Sequence, residues 1–195
     1  AERIGRPFDA ELANPRRAPH WRQAEFADSS VLEAGLLLLK AGAANLSERF
    51  LTHLAESLQG DDLARLGGMA IELKRPHLAV MLGKRAAQAG AQITAPYYAV
   101  HPVAQMKHPV PVELVLSIAR RESEFDPKVI SGAGARGLMQ VMPATGRHVA
   151  RNLGIASEHT TGRMVQDWKH NARLGAAYLA ELVEDFEGNP VLVAA

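Results

Sequence analysis

The residues best suited to chemistry surround Glu122, near the end of an amphipathic helix that the apolar spacing predicts over 112–122. Residues four apart lie one above another on a helix, so Glu122 shares a stripe with Leu114 and Ile118, which we assign to the core. We therefore expect a partly desolvated carboxyl group with a raised pKa, which suits a general acid at neutral pH. The alternatives are a glutamate satisfied by serine or backbone donors and a surface residue at a frayed helix end.

Two nearby acidic residues are candidates for the second carboxylate of a glycosidase pair. These are Glu124 and Asp126. Two positions along a helix a side chain points roughly the other way, but the geometry is open if the helix has already ended. The dipeptide Asp126-Pro127 is also typical of a turn.

The segment that follows is glycine-rich and reads Ser131-Gly-Ala-Gly-Ala-Arg-Gly-Leu-Met-Gln140. Its glycines match G-x-G-x-x-G, but a dinucleotide fingerprint requires a preceding strand, and here a helix precedes the loop. We interpret the glycines as positions where the backbone turns sharply or approaches a ligand closely. Ser131 is not in a G-x-S-x-G elbow, which disfavours a serine hydrolase.

The composition narrows the class of protein. Lys and Arg number 22 against 21 for Asp and Glu, so the charge gives no case for binding nucleic acid. Cysteine is absent, and the eight histidines show no ligand spacing, so we expect no disulfide, no metal and no cofactor. The apolar run over 35–39 is too short to span a bilayer, so we do not expect an integral membrane protein. The N-terminal residues lack the apolar region of a signal peptide.

The remaining pattern is helical, which predicts an all-α fold. Short helices with tight connections over 24–90 indicate helical hairpins, either a piece of an α-solenoid or a plain bundle. Residues 1–23 are expected to form an arm or loop. The Pro- and Tyr-containing stretch 91–110 indicates a junction, so we predict two domains, 1–100 and 101–195.

Three local patterns give specific expectations within these helices. Ser29 or Ser30 is expected to cap the first helix, and Asn45 with Glu48 resembles a capping box for the second. The apolar stripe of that second helix is predicted at Leu46, Phe50, Leu54 and Leu58. In the second domain, helices are predicted over 143–153 and about 167–186, the latter with Leu174, Tyr178 and Leu182 on one face.

The ordered motifs over about 70 residues resemble the signature of the soluble lytic murein transglycosylases. They are Glu122-Ser123, Ser131, Gly134-Ala-x-Gly-Leu-Met-Gln140, Met142-Pro-Ala-Thr145 and Asp167-x-x-x-Asn171-x-x-x-Gly175-x-x-Tyr178-Leu179. The resemblance implies a lysozyme-like helical catalytic domain in the bacterial periplasm, preceded by a superhelical linker region. It implies cleavage of the β-1,4 bond between N-acetylmuramic acid and N-acetylglucosamine in peptidoglycan glycan strands.

The resemblance also implies residue roles. Glu122 is the expected catalytic acid and base, and Ser123, Ser131, Met139 and Gln140 are the expected substrate-binding residues. A single glutamate suffices because the sugar assists, and closure of a 1,6-anhydro ring needs no water. The family continues with an Ala-Tyr-Asn-Ala-Gly motif, so we expect the catalytic domain to be incomplete at Ala195. The competing hypotheses are a non-catalytic scaffold that binds peptidoglycan or protein and a lysozyme-type hydrolase.

Overall fold

The computed structural model describes residues 19–189 and 192–193. Within them the chain is helical, with two isolated β-bridges and no β-strand, so the predicted all-α class is confirmed. The expected N-terminal arm lies outside the described residues up to position 18, and residues 21–23 and 25–28 form short 3₁₀ turns. The α-helices are α1 (Ser30–Lys40), α2 (Ala44–Glu56), α3 (Asp61–Glu72), α4 (Pro76–Gln88), α5 (Thr94–Tyr97), α6 (Val112–Ser123), α7 (Pro143–Asn152), α8 (Arg163–Gln166) and α9 (Trp168–Asp185).

The chain divides into two compact units between Ala99 and Val100. The first unit contains α1 to α5, and each of its long helices is joined to the next by only a few residues. Helices α1 and α2 approach closely because Gly35 has no side chain: a Cβ there would lie 2.8 Å from Leu51 Cδ2. Leu51 is fully buried at this contact. The missing Cβ therefore lets the first hairpin close tightly.

The two helix caps predicted for this unit have different outcomes. Ser29 caps α1, and its hydroxyl oxygen accepts a hydrogen bond from Val31 N at 3.2 Å. The capping box of Asn45 and Glu48 is wrong, because Ala43 is the residue at the N-cap position and α2 begins at Ala44 without a side-chain cap. The Glu48 carboxylate instead lies 2.9 Å from His77 Nε2, so a tertiary partner holds the group that the local pattern assigned to the cap.

The predicted apolar stripe of α2 is also wrong in part. Leu46 and Phe50 are 48% and 40% exposed. The buried face comprises Ser47, Leu51, Leu54 and Ala55. Leu54 is buried as predicted, but the other buried residues lie one position further along the helix than predicted, where packing against neighbouring helices accommodates the small side chains of Ser47 and Ala55.

The second unit contains α6 to α9, with α9 packed against α7 and α8. Asp167 caps α9, and its carboxylate accepts hydrogen bonds from Lys169 N and His170 N. Leu174 is fully buried in α9, whereas Tyr178, predicted on the same face, is 37% exposed. No helix among the described residues is long and apolar enough to cross a membrane.

Candidate active site

Glu122 is the last residue but one of α6, and its side chain is exposed. The buried residues of α6 are Val115, Ala119 and Ser123, which also follow one another at intervals of four. The predicted stripe is therefore displaced by one residue, and the expectation that the core partly desolvates Glu122 is wrong. Spacing alone does not separate the two stripes, and the larger Leu and Ile side chains favoured the incorrect one.

The turn after Glu122 has an uncommon backbone. Glu124 and Phe125 have φ values of 52° and 68°, in the left-handed region that residues with a Cβ rarely adopt. Phe125 is buried and stacks on the His101 ring at 5.3 Å, and Trp168 meets the same ring edge-on at 4.8 Å. This aromatic cluster holds the strained turn in place, as strained conformations near functional sites require.

His101 is a buried polar residue within that cluster. Its Nδ1 accepts a hydrogen bond from Val103 N at 3.0 Å. Burial lowers the pKa of His101 to about 4, so its ring is neutral at pH 7. The neutral ring can stack on Phe125 without placing a charge in the core.

Ser123 connects the end of α6 to the glycine-rich loop. Its hydroxyl is buried and donates to Leu138 O at 2.7 Å, and it also lies 3.0 Å from Ala119 O. The residue next to Glu122 is therefore fixed to the backbone of the loop. This contact positions the carboxylate relative to the loop without help from Glu122 itself.

The beginning of the glycine-rich loop is organised by Ser131. Its amide donates to Ala135 O at 2.9 Å, and its hydroxyl oxygen accepts from Ala135 N at 3.0 Å. Short antiparallel bridges pair Arg136 with Ile130 and with Val141. The hydroxyl proton of Ser131 has no hydrogen-bond acceptor among the described residues, so this group can still donate to a ligand.

Asn171 in α9 anchors the middle of the loop. It is fully buried, its Nδ2 donates to Arg136 O at 2.8 Å, and its Oδ1 accepts from Met139 N at 2.8 Å. Gly137 lies between these contacts with a φ of 73°, and a Cβ there would collide with Met164 O and with the Asn171 amide. The fold therefore requires glycine at this position for both its backbone angle and its space.

Met139 and Gln140 hold the far end of the loop. Met139 is buried, and a Cβ on Gly175 of α9 would lie 2.6 Å from its sulfur atom. Gln140 has a φ of 46°, and its Nε2 donates to Val129 O at 3.1 Å and to Gly137 O at 2.9 Å. The Oε1 atom of Gln140 has no partner within the described residues. That Met139 and Gln140 line a substrate cleft stays a prediction.

From the sequence we assigned no individual role to Asn171, which lies in the last of the quoted motifs, and none to His101. The usable signal for Asn171 is its position: it precedes Leu174 and Gly175 by three and four residues, so a polar side chain faces the core. Such a residue needs partners, and here the partners are loop backbone groups. His101 carries no comparable signal, because its ring partners are distant in the sequence.

The two candidates for a second carboxylate, Glu124 and Asp126, lie in the turn that follows α6. Asp126 is engaged in the turn, where its Oδ1 accepts from Lys128 N at 2.9 Å, as the turn prediction implies. Glu124 is half-buried at the left-handed end of α6. No group of His, Asp or Glu among the described residues is arranged to hold a metal ion.

The sequence of the second unit matches a known domain family. Residues 101–195 match the family model described as "Transglycosylase SLT domain". The match contains the whole arrangement from Glu122 to Asn171, so the loop anchored by Asn171 lies within the residues that resemble an SLT domain.

Curated relatives share this part of the chain. The soluble lytic murein transglycosylase of Escherichia coli K12 is 35% identical over 86 residues, which are 44% of this chain and 13% of that protein. An endo-type membrane-bound lytic murein transglycosylase A of Klebsiella pneumoniae is 39% identical over 71 residues, 36% of this chain and 34% of that protein. The matched part of the chain thus spans a small fraction of these relatives.

Solved structures match over nearly the whole chain. The 70 kDa soluble lytic transglycosylase of Escherichia coli has a TM-score of 0.81 at 22% identity, covering 98% of this chain and 31% of that one. An inactive mutant of the lytic transglycosylase Slt of Pseudomonas aeruginosa has a TM-score of 0.74 at 25% identity with the same coverages. The fold therefore matches on both sides of residue 100.

Proposed function

We propose that this protein is a lytic transglycosylase that cleaves the β-1,4 bond between N-acetylmuramic acid and N-acetylglucosamine in peptidoglycan. The observation that carries the proposal is the exposed Glu122, held by Ser123 against the loop of an SLT domain. The lytic transglycosylase names of the relatives support the same reaction. We infer action in the bacterial envelope, in the periplasm, where such a substrate is found.

Glu122 performs two proton transfers in this mechanism. It first donates a proton to the glycosidic oxygen, the bond from that oxygen to C1 breaks, and the acetamido group of the sugar stabilises the positive charge at C1. The Glu122 carboxylate then removes the proton of the C6 hydroxyl, whose oxygen bonds to C1 and closes the 1,6-anhydro ring. The glutamate ends protonated, as it began, and no water is consumed.

Because Glu122 is exposed, the bound glycan must supply the desolvation that the protein core does not. A sugar chain lying over the carboxylate excludes water and strengthens the electrostatic interactions within the site. This accounts for an acid that the fold alone leaves accessible to water.

The four expected substrate-binding residues divide into two roles in this proposal. Ser131 and Gln140 each retain one unpaired polar group, a hydroxyl proton and Oε1, and these contact the sugar. Ser123 and Met139 are buried, so they act by setting the position of the loop. Ser123 does so through its hydrogen bond to Leu138 O, and Met139 through its packing against Gly175.

The deciding experiment replaces Glu122 by Gln and measures release of muropeptides from purified sacculi. The assay uses the longest reading frame that contains the chain. We expect a loss of at least about a hundredfold, since general acid-base catalysis contributes on the order of that factor or more. Products of the unmodified protein should carry anhydromuramyl ends in mass spectrometry.

Glu124→Gln is the matched control, because it removes a neighbouring carboxylate with the same change of atoms. We expect it to retain most of the activity, and a loss equal to that of Glu122→Gln would instead indicate a two-carboxylate mechanism. Products with reducing ends alone would show a lysozyme-type hydrolase. Binding of sacculi without turnover by the unmodified protein would show a non-catalytic scaffold.

A further inference from the structure

A cleft between α7 and the segment that follows it lies outside the arrangement around Glu122. Its volume is about 370 Å³, and it is lined by Arg147, Ala150 and Arg151 of α7, and by Ala156 and His159. That volume is at the small end of the range for ligand sites. Its polar lining is basic, with two arginines and a histidine.

The two arginines have no acidic partner among the described residues. They are one helical turn apart, where like charges repel, and Arg151 Nε reaches only Arg147 O, at 3.3 Å. The nearby acids are engaged elsewhere. Glu158 and Asp167 pair with Arg163, and Glu181 lies beside His148 and Asn152. The cleft therefore carries an uncompensated positive charge.

His159 adds an unsatisfied polar atom to this cleft. Its Nδ1 lies 3.1 Å from His170 Nε2, whereas its own Nε2 is buried and has no hydrogen-bond partner in the described part of the chain. Burial first, and the charge of Arg147 second, lower the pKa of His159, so the ring is neutral at pH 7. A buried polar atom without a partner is uncommon in proteins and indicates that a partner is missing.

We propose that this cleft is a binding site for an oxyanion, a carboxylate or a phosphoryl group, held by the guanidinium groups of Arg147 and Arg151 beside His159. Guanidinium groups present several N–H donors in one plane, a geometry that matches the oxygens of both anions. The site is separate from the proposed catalytic carboxylate, so it does not depend on the assignment of Glu122.

Two sources of such a group suit a protein that acts on the cell wall. The peptide stems of peptidoglycan carry free carboxylates, and phosphoryl groups occur as free phosphate or on polymers. Carboxylates and phosphoryl groups both present the negatively charged oxygens that the arginines of the cleft bind. The experiment therefore offers each anion separately, together with an uncharged sugar.

The test is a titration of the 195-residue chain, followed by nuclear magnetic resonance of the imidazole signals of His159 and His170. The probes are inorganic phosphate, the γ-D-glutamyl-diaminopimelate fragment of a peptide stem, and uncharged chitotetraose at low ionic strength. We expect saturable shifts with at least one anion and none with chitotetraose. The variant with Arg147→Gln and Arg151→Gln should bind about tenfold or more weakly, because charge-assisted hydrogen bonds are lost.

The control is Arg49→Gln, which removes an exposed arginine of the first unit and should leave the affinity unchanged. Both substituted arginines are exposed, so circular dichroism should show an intact fold. Binding of phosphate alone would assign the site to phosphoryl groups, and binding of the stem fragment alone to carboxylates. Absence of saturable shifts with both anions, or equal affinity in the double variant, would overturn the proposal.

Discussion

At the scale of single residues, Glu122 and Ser123 have opposite environments although they are adjacent in α6. Glu122 is exposed to solvent, and Ser123 is 7% exposed with its hydroxyl bonded to the loop. The two residues therefore have different roles: Glu122 is accessible to a substrate, and Ser123 fixes the end of the helix. The position of the carboxylate thus depends on a hydrogen bond made by its neighbour.

Ser123→Ala should destabilise the protein by about 1–2 kcal/mol, because Leu138 O loses its hydrogen bond in a buried place. Urea denaturation followed by circular dichroism measures the free energy of unfolding. Ser117→Ala is the matched control, since Ser117 lies in the same helix and its hydroxyl also donates to the carbonyl four residues earlier, but in an exposed position. Equal effects of the two substitutions would show that the contact with the loop contributes nothing.

At the scale of elements, the loop over 129–141 is a rigid segment held by its neighbours. Residues of α6 and α9 donate to or accept from its backbone, and Gln140 closes it internally. Its glycine pattern resembles a nucleotide fingerprint only in spacing. Gly137 lacks the Cβ that would prevent Asn171 and Met164 O from packing against the loop.

Gly137→Ala should cost about 3 kcal/mol or more, because the added Cβ is strained at positive φ and also collides with Met164 O. Gly134→Ala is the control, since Gly134 has a φ of 93° but open space around its Cα. There we expect a cost of about 1 kcal/mol, from the backbone angle alone. Thermal unfolding of both variants measures the difference, and similar costs would contradict the packing role of Gly137.

At the scale of the whole molecule, the second unit is joined by contacts between residues far apart in the sequence. His101, Phe125 and Trp168 form one such cluster, which brings together the start of the unit, the turn after α6 and the first residue of α9. The His101 ring is neutral and buried there. Protonation of this ring therefore affects the stability of the unit as a whole.

The pH dependence of stability follows from the lowered pKa of His101. Its native pKa is about 4 and its unfolded pKa about 6.5, so between these values the unfolded state binds more protons. The stability associated with the neutral His101 ring is complete above pH 6.5. It is lost as the pH falls towards 4, which lowers the free energy of unfolding by about 2 kcal/mol after allowance for solvent screening.

Urea unfolding at pH 7 and pH 4.5 measures this loss. His101→Phe should reduce the difference between the two pH values, whereas His148→Gln, which alters an exposed histidine of the same unit, should leave it unchanged. An undiminished difference in His101→Phe would assign the acid sensitivity to other groups. The comparison is made within each variant, so the lost hydrogen bond from Val103 N does not affect it.

The sequence by itself determined the all-α class, the cap at Ser29, and the motifs by which the resemblance to the SLT family is recognised. These features depend on local spacing and on residue types close together in the chain. Only the tertiary structure decided which of two equally spaced stripes is buried in α6 and which face of α2 is buried, and it placed Glu48 beside His77 instead of at a local cap. It also brought Asn171 to the loop and His101 to Phe125. Helical periodicity defines possible faces, but the choice between them depends on packing with partners that are distant in the sequence.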